Sequence, residues 1–528
     1  MHLPPRSMGK IEVHSRQSVL ARRVGLRALT FIHTAEAGGA ALFLAATIAI
    51  LWANSPWGET YQKIFHTPVE LTVGEFSLAP PSEQSNGDGA DHGHEGTGPG
   101  GHSAEDEAAA DLVAASIGGA SALPPPAAGE PHSDSAASEA HDHGMTLHHW
   151  INDGLMVLFF FVVGLEIKRE MVLGELASLR KAALPAALAL GGMIVPAAIY
   201  AAINVAPGGV SRGWGVPMAT DIAFAVGVLA LLGSRVPNSI RVLLLAFAIV
   251  DDIGAIMVIA LFYTEQISIM ALMLAVAMVG VVIIMQRIGV LDIFPYILVG
   301  GVFWALLLSS GVHATIAGVV LGLMTPSVPW LDMQRYSEEL DRLQAQYNEA
   351  MRLKNEDEAS FILGKIEHLT QMTESILDRL IRFIHPWAAF VVLPIFALAN
   401  AGVVINAESL STALSSPVLW GVALGLFVGK PVGITLLAWL GLKTGLMSLP
   451  EHTNLRQIFG IGMLGAIGFT VALFITDLAF ITPQDTDAAK LGILMATLAA
   501  SVVGLLYLRS VLPERLSDQM TPAEAARH

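Results

Sequence analysis

Two adjacent aspartates stand in the middle of a membrane-length apolar run, "LLLAFAIVDDIGAIMVIALFY" (Leu243–Tyr263). As a helix, a run of this length crosses a hydrocarbon core of roughly 30 Å. On insertion scales a single Asp at the centre of such a helix costs about 2.5–3.5 kcal/mol. Asp251 and Asp252 must therefore be satisfied by other parts of the chain, or be required by its function.

Composition supports a membrane protein. Hydrophobic residues make up 53% of the chain and charged residues 14%, with a mean hydropathy of +0.59; ordinary globular domains carry about 25% charge. We count twelve apolar spans, beginning near His33, His149, Ala182, Val216, Ile240, Ser268, Asp292, Val312, His385, Pro417, Gln457 and Ala488. The expected fold is thus an all-α integral membrane protein with twelve transmembrane helices. The absence of cysteine excludes disulfides and thiolate metal sites. Of the net charge of −16, 13 acids lie in residues 75–146, a segment without Lys or Arg; removing those 13 leaves −3 for the rest, which gives no footprint for nucleic acid.

The first apolar run follows a basic leader (Arg6, Lys10, Arg16, Arg22, Arg23, Arg27) but no small-residue cleavage site, and reads as a retained helix. Lys and Arg recur in alternate connections, at Lys168/Arg169/Arg180/Lys181, Arg235/Arg241, Arg287, Arg335 to Arg382 and Lys443/Arg456. The positive-inside rule then places both termini in the cytoplasm. The organisation expected is a basic cytoplasmic segment (1–30), a twelve-helix transporter domain (31–510) with two insertions, and a cytoplasmic tail (511–528).

The first insertion, 75–146, is rich in Gly, Ala, Ser, Pro and acid, and cannot bury enough apolar surface to fold. Its histidines (His92, His94, His102, His132, His141, His143) include H-x-H pairs that suit Zn²⁺ or Ni²⁺, although a solvated low-complexity loop accounts for the same composition. The second, 331–384, has apolar residues stepping by 3 or 4 from Met333 to Met351 and from Ile362 to Phe383, separated by "NEDE". That pattern predicts an amphipathic helical hairpin that packs on itself or on a partner.

Further charges fall inside apolar spans. Thr220 and Asp221 lie in span four, Lys430 in span ten before the helix-breaking Pro431, and three glycines interrupt span eleven in "GMLGAIGFT". At 1.5 Å per residue, Asp251 and Asp252 lie roughly 15 Å from the cytoplasmic end, Asp221 roughly 12 Å from the outer end, and Lys430 roughly 20 Å from the outer end. The Gly465–Gly468 break lies roughly 12–16 Å from the cytoplasmic end. Three carboxylates, one ammonium and a broken helix thus share the midplane. Hard cations such as Na⁺ take carboxylate, hydroxyl and freed carbonyl oxygens. Adjacent carboxylates in low dielectric resist being ionised together, so a proton and a cation can exchange at one place, with Lys430 neutralising one Asp when the cation is absent. A buried Asp–Lys pair that only holds helices together is the bland alternative; it leaves the third acid unexplained. His313, Asp153 and Asp477 have bland readings: a backbone bond for His313, and water or a helix cap near the interface for the two acids.

These residues also carry a resemblance. "FFFVVGLEIKREMVLGEL", "PMATDIAFAVGVLALLGSRVP", "AFAIVDDIGAI", "SGVHATIAGVVLG", "HPWAAFVVLPIFALANAGV", "GKPVGI" and "GAIGFTVALFI" are similar to bacterial NhaA-type Na⁺/H⁺ antiporters, in order, from about residue 31 to 510. The resemblance implies inverted repeats (spans three to five and ten to twelve) with spans four and eleven unwound where they cross, around Thr220–Asp221 and Gly465–Gly468. It implies that Asp252 and Asp251 carry Na⁺ or Li⁺ and H⁺, that Lys430 pairs with Asp251, and that Asp221 and Thr220 sit at the crossing and balance half-helix dipoles; the candidate exchange set is Asp251, Asp252, Lys430 and Asp221, and the candidate Na⁺/Li⁺ ligands are Asp252, Asp251, Thr220 and Asp221. It implies electrogenic exchange in the inner membrane without a cofactor, the ions being cargo, and a homodimer joined between spans one and two. Glu166, Lys168, Arg169 and Glu170, with His385, resemble a cytoplasmic pH-sensing cluster. The chain departs from the pattern at Ile381 and Arg382, where a Glu–His pair usually precedes His-Pro-Trp, and in the acidic loop that falls where the dimer hairpin belongs. A cation channel or a membrane-anchored metal receptor are the competing classes. The channel needs no paired proton carrier, and the receptor leaves the midplane charges unexplained.

Overall fold

The computed structural model describes residues 35–69, 72–73, 76–77, 146–264, 267–290, 293–328, 333–373, 375–450 and 453–512. The basic leader, the histidines of the first insertion and most of the terminal tail lie outside the described residues. Among those described, one short hairpin, β1 (Thr72–Val73) against β2 (Phe76–Ser77), departs from an otherwise helical chain.

The first helix, α1 (Ala35–Ala53), turns by 114° into α2 (Gly58–Phe65). The second lies off the first because it is amphipathic: it buries Tyr61 and Phe65 and leaves Glu59 and Lys63 out. The Tyr61 hydroxyl is 2.8 and 2.9 Å from the carbonyls of Leu398 and Ala399. Next come α3 (Leu147–Val172), started by a Thr146 cap on the His149 amide, and α4 (Leu179–Asn204). A 3₁₀ stretch (Ser211–Met218) and a non-helical gap lead to α5 (Ile222–Ala230), then α6 (Asn238–Phe262), α7 (Ile269–Ile288), α8 (Ile293–Ser310) and α9 (Thr315–Met324). The hairpin α10 (Met333–Arg352) and α11 (Glu356–Thr373) precedes α12 (Ile376–Asn400), α13 (Ala407–Ser415) and α14 (Pro417–Lys443). The chain closes with α15 (Leu455–Gly465), α16 (Phe469–Ala479) and α17 (Pro483–Val511).

Among the described residues, eight helices are long and apolar enough to cross a membrane, or up to ten if the bent pairs α1/α2 and α15/α16 each count as one. The segments read from sequence as spans seven and eight, α8 and α9, are apolar but shorter. The α7 helix leaves Met270, Met273, Val276 and Ile284 exposed, as a helix facing lipid requires.

Two close helix contacts frame the centre. A Cβ at Gly191 of α4 would stand 2.2 Å from the Gly433 carbonyl of α14, and a Cβ at Gly164 of α3 would stand 2.7 Å from the Val319 carbonyl of α9. Without a hydrophobic force between helices in lipid, such small-residue contacts supply the packing. The π turns Ala388–Val392 and Gly425–Gly429 end just ahead of Pro394 and Pro431. A proline ring clashes with the carbonyl four residues back and removes an N–H, so the preceding turn widens. In the hairpin, α10 and α11 pack through Leu343, Ala350, Ala359 and Ile362, with Tyr347, Ile366 and Leu369 against them.

Candidate functional site

Asp251 and Asp252 occupy the middle of α6, 0% and 3% exposed. Successive helical residues point about 100° apart, so neighbours in sequence serve different surroundings. Asp251 Oδ2 lies 2.5 Å from Lys430 Nζ, which comes from α14 and is fully buried. Its other oxygen, and both oxygens of Asp252, have no hydrogen-bond partner among the described residues.

The Lys430 ammonium also donates to the Thr220 hydroxyl, and Thr220 Oγ1 donates to the Gly465 carbonyl at 2.8 Å. That carbonyl is freed because α15 stops at Gly465 and α16 starts at Phe469 with a 51° bend between them. The other break differs in form: at Ala219 and Asp221 the backbone is extended before α5 begins. The two gaps are joined directly: the Asp221 amide donates to the Ile467 carbonyl at 2.7 Å.

Asp221 is fully satisfied where Asp252 is not. Its Oδ1 accepts from the Phe224 amide at 2.9 Å, capping α5, and its Oδ2 accepts from the amide and hydroxyl of Thr470 at 3.0 and 2.7 Å, at the start of α16. One carboxylate thus faces the N-termini of two short helices, where negative charge is favoured by unpaired N–H groups and by both macrodipoles.

A cavity of about 350 Å³ runs from Asp252 and Asp221 to a mouth with Glu166, Arg241 and His385. His385 Nε2 lies 3.7 Å from Glu166 Oε1. Two other members of the expected cytoplasmic cluster, Arg169 and Glu170, are turned to different partners. Arg169 Nε is 3.6 Å from Asp378 Oδ1 of α12, and Glu170 Oε2 accepts from the Glu175 amide at 2.9 Å, holding the turn after α3. Lys168 is half-buried on the same helix.

His313 Nε2 contacts the Tyr263 carbonyl at 2.8 Å, in keeping with a backbone role. Asp477 differs from its expected solvent or cap role: it contacts Lys490, Asn152 and His148. No spacing rule signals that meeting, because residues 148–152 and 477–490 are brought together only by packing. Thr470 had a weak signal: a hydroxyl residue just past a glycine break is suited to a helix start.

The comparisons with known proteins agree with one another. The model of the family described as Na⁺/H⁺ antiporter 1 matches residues 29–86 and 131–508. A protein of Sorangium cellulosum named Na(+)/H(+) antiporter NhaA 2 is 40% identical over 500 residues, covering 94% of this chain and 91% of its own. The Na(+)/H(+) antiporter NhaA of Rhodopirellula baltica is 40% identical over 484 residues (92% and 94%), and that of Oleidesulfovibrio alaskensis is 48% identical over 371 (69% and 82%). The chain belongs to the NhaA-type Na⁺/H⁺ antiporter family.

Proposed function

We propose that the protein is an electrogenic secondary transporter that exchanges cytoplasmic Na⁺ or Li⁺ for external H⁺ by alternating access at Asp251 and Asp252. The observation that carries this reading is Asp252: a buried carboxylate, both oxygens without partners, at the end of a cavity and one residue from an ion-paired Asp. Buried polar groups are normally satisfied. An acid left in this way is a proton or cation carrier in waiting, since either ligand supplies what it lacks. The family membership and the names of the relatives support the choice of Na⁺.

In the cycle, Na⁺ enters the cavity, Asp252 and Asp251 each give up a proton, and the ion takes oxygens of both. Thr220 and Asp221 hold the two broken spans beside it. With both aspartates protonated, the set with Lys430 carries one net positive charge; with both ionised and Na⁺ bound, it is neutral. Two protons against one Na⁺ therefore move one charge, which makes the exchange sensitive to membrane potential. Lys430 pairs with Asp251 once the protons have left and before Na⁺ arrives, and the pair parts when a proton or the cation takes Asp251's oxygens.

The same reading makes α4–α6 and α14–α17 the inverted repeats. It is supported by the close approach of α4 and α14 at Gly191 and Gly433 and by a broken span next in each series. It places twelve spans in the inner membrane with both termini cytoplasmic, and allows a homodimer. The cavity mouth then faces the cytoplasm, and Glu166, Lys168, Arg169, Glu170 and His385 adjust exchange to cytoplasmic pH. Maintaining cellular Na⁺ and pH is the role that follows.

The test is Na⁺- and Li⁺-driven proton movement in everted vesicles, for the wild type and for Asp252→Asn. The variant should insert and be inactive. Wild-type exchange by Asp252→Asn would remove Asp252 as the carrier. Proton movement with a Na⁺-independent conductance in the wild type would favour a channel.

A further inference from the structure

The far end of the bundle, away from the cavity, is closed by side chains from four helices. Asn152, in the first turns of α3, donates from Nδ2 to Asp477 Oδ2 of α16 at 2.8 Å. Asn400, the last residue of α12, donates from Nδ2 to Asn152 Oδ1 at 2.9 Å. Lys490 Nζ of α17 lies 3.1 Å from Asp477 Oδ1. His148 Nε2 lies 2.9 Å from Asn400 Oδ1 and 3.6 Å from Asp477 Oδ2. The Lys490 and Asp477 side chains retain 12% and 14% exposure, and both asparagines are buried.

Beneath this cluster lie Phe160, Phe396 and Phe474, all buried, with centroids 5.5 Å (Phe160–Phe474) and 6.4 Å (Phe396–Phe474) apart. On each helix the polar residue is displaced from the site or cavity. Asn152 precedes Glu166 on α3 by roughly 21 Å, Asn400 follows His385 on α12 by roughly 22 Å, and Asp477 follows Thr470 on α16 by roughly 10 Å. Along α3, α12 and α16 the phenylalanines stand between the level of the cavity or Thr470 and the polar cluster, so an ion passing between these helices to the far side meets them first and the cluster second.

A largely buried ion pair adds little net stability, because desolvation offsets its attraction. What it does supply is a contact with two states. Closed, Asp477 has three partners from two other helices; open, every member can be rehydrated, so neither state strands a buried charge. Packed apolar side chains alone lack that second partner. We propose that Asp477, clamped by Lys490, His148 and Asn152, with Asn400 holding Asn152, is the latch of the outward gate: it seals the far side while the carboxylates face the cavity and releases when they turn outward. This rests on the exchange reading, which requires the site to reach both faces.

The chain has no cysteine, so Phe160→Cys would place a single thiol beneath the latch. Its rate of labelling by a membrane-impermeant methanethiosulfonate is measured from the outer face and, in everted vesicles, from the cavity face. Added Asp477→Asn or Lys490→Gln should raise the outer rate about tenfold, a shift equivalent to ~1.4 kcal/mol, and leave the cavity-side rate unchanged. The charge swap Asp477→Lys/Lys490→Asp should bring the outer rate back toward the starting value. If Phe160→Cys does not fold, Phe474→Cys serves as the reporter. Unchanged outer labelling, or equal acceleration from both faces as in general loosening, overturns the latch. Wild-type Na⁺/H⁺ exchange is measured in the same vesicles. Its presence with unchanged labelling rejects the latch alone; its absence with selectively raised outer labelling rejects the exchange reading and keeps the gate.

Discussion

Replacing Lys430 by Gln isolates what the buried ion pair contributes. The substitution keeps a long polar side chain but removes the charge 2.5 Å from Asp251, in a place where neither partner has any solvent exposure. Removing one partner of a buried pair costs about 3–5 kcal/mol, because the other charge is left uncompensated. At ~2 °C per kcal/mol, the slope for large domains, the melting temperature should fall by about 6–10 °C. Lys430→Arg keeps the charge but forces a larger group into a closed site, a misfit of about 1–3 kcal/mol, so its fall should be about 2–6 °C at the same slope. The double variant Asp251→Asn/Lys430→Gln removes both charges, and replacing a buried pair by neutral groups is often near neutral. It should therefore recover most of the lost stability while still failing to exchange Na⁺. The assay is thermal unfolding of detergent-solubilised protein beside exchange in proteoliposomes. If the double variant is no more stable than Lys430→Gln, the loss does not come from a stranded Asp251 charge and the ion-pair reasoning fails.

Three further outcomes follow from particular contacts. Thr470→Val removes the 2.7 Å hydroxyl donor to Asp221 but keeps the amide bond; a hydrogen bond to a charged group contributes about 1.5–3 kcal/mol, and unchanged unfolding in detergent would show that Asp221 does not depend on it. Gly191→Ala places a Cβ against the Gly433 carbonyl, so α4 and α14 must separate at an overpacking cost of about 1–3 kcal/mol; a melting temperature equal to wild type would argue against that close contact. Ile381→Glu/Arg382→His introduces an acid and a histidine four and three residues before His385 of the cavity lining and removes the fixed positive charge of Arg382. Fixed positive charge favours ionised carboxylates, so exchange by the wild type should begin at a lower pH than in the double variant. Vesicle exchange measured from acid to alkaline pH checks this, and an onset for the double variant at the same or lower pH contradicts it.

The helical membrane class was legible because a bilayer imposes one simple requirement along the chain: long apolar runs with every backbone group satisfied internally. The family was legible because its motifs are contiguous and ordered. Span count was less so. Apolar length measures hydropathy, whereas α8 is a shorter helix than its apolar run suggested, α9 is short as its brief apolar run implies, and α1 turns sharply into α2. The buried charges were legible as candidates, since an Asp or Lys inside an apolar run is conspicuous wherever it falls, and the structure buries Asp221, Asp251, Asp252 and Lys430.

From hydropathy and contiguous motifs, both local properties of the sequence, the helical membrane class and the family could be read directly. Tertiary structure alone decided which of the buried charges are satisfied. Asp221 caps two helices and Asp251 meets Lys430, while Asp252 faces a cavity with no hydrogen-bond partner among the described residues. It also decided that Asp477 closes the far end with Asn152 and Lys490. The pairings Asp251–Lys430, Asp221–Thr470 and Asn152–Asp477 join helices whose contacting residues are 179, 249 and 325 apart in the chain, and their distances depend on how the helices cross, which no residue encodes alone.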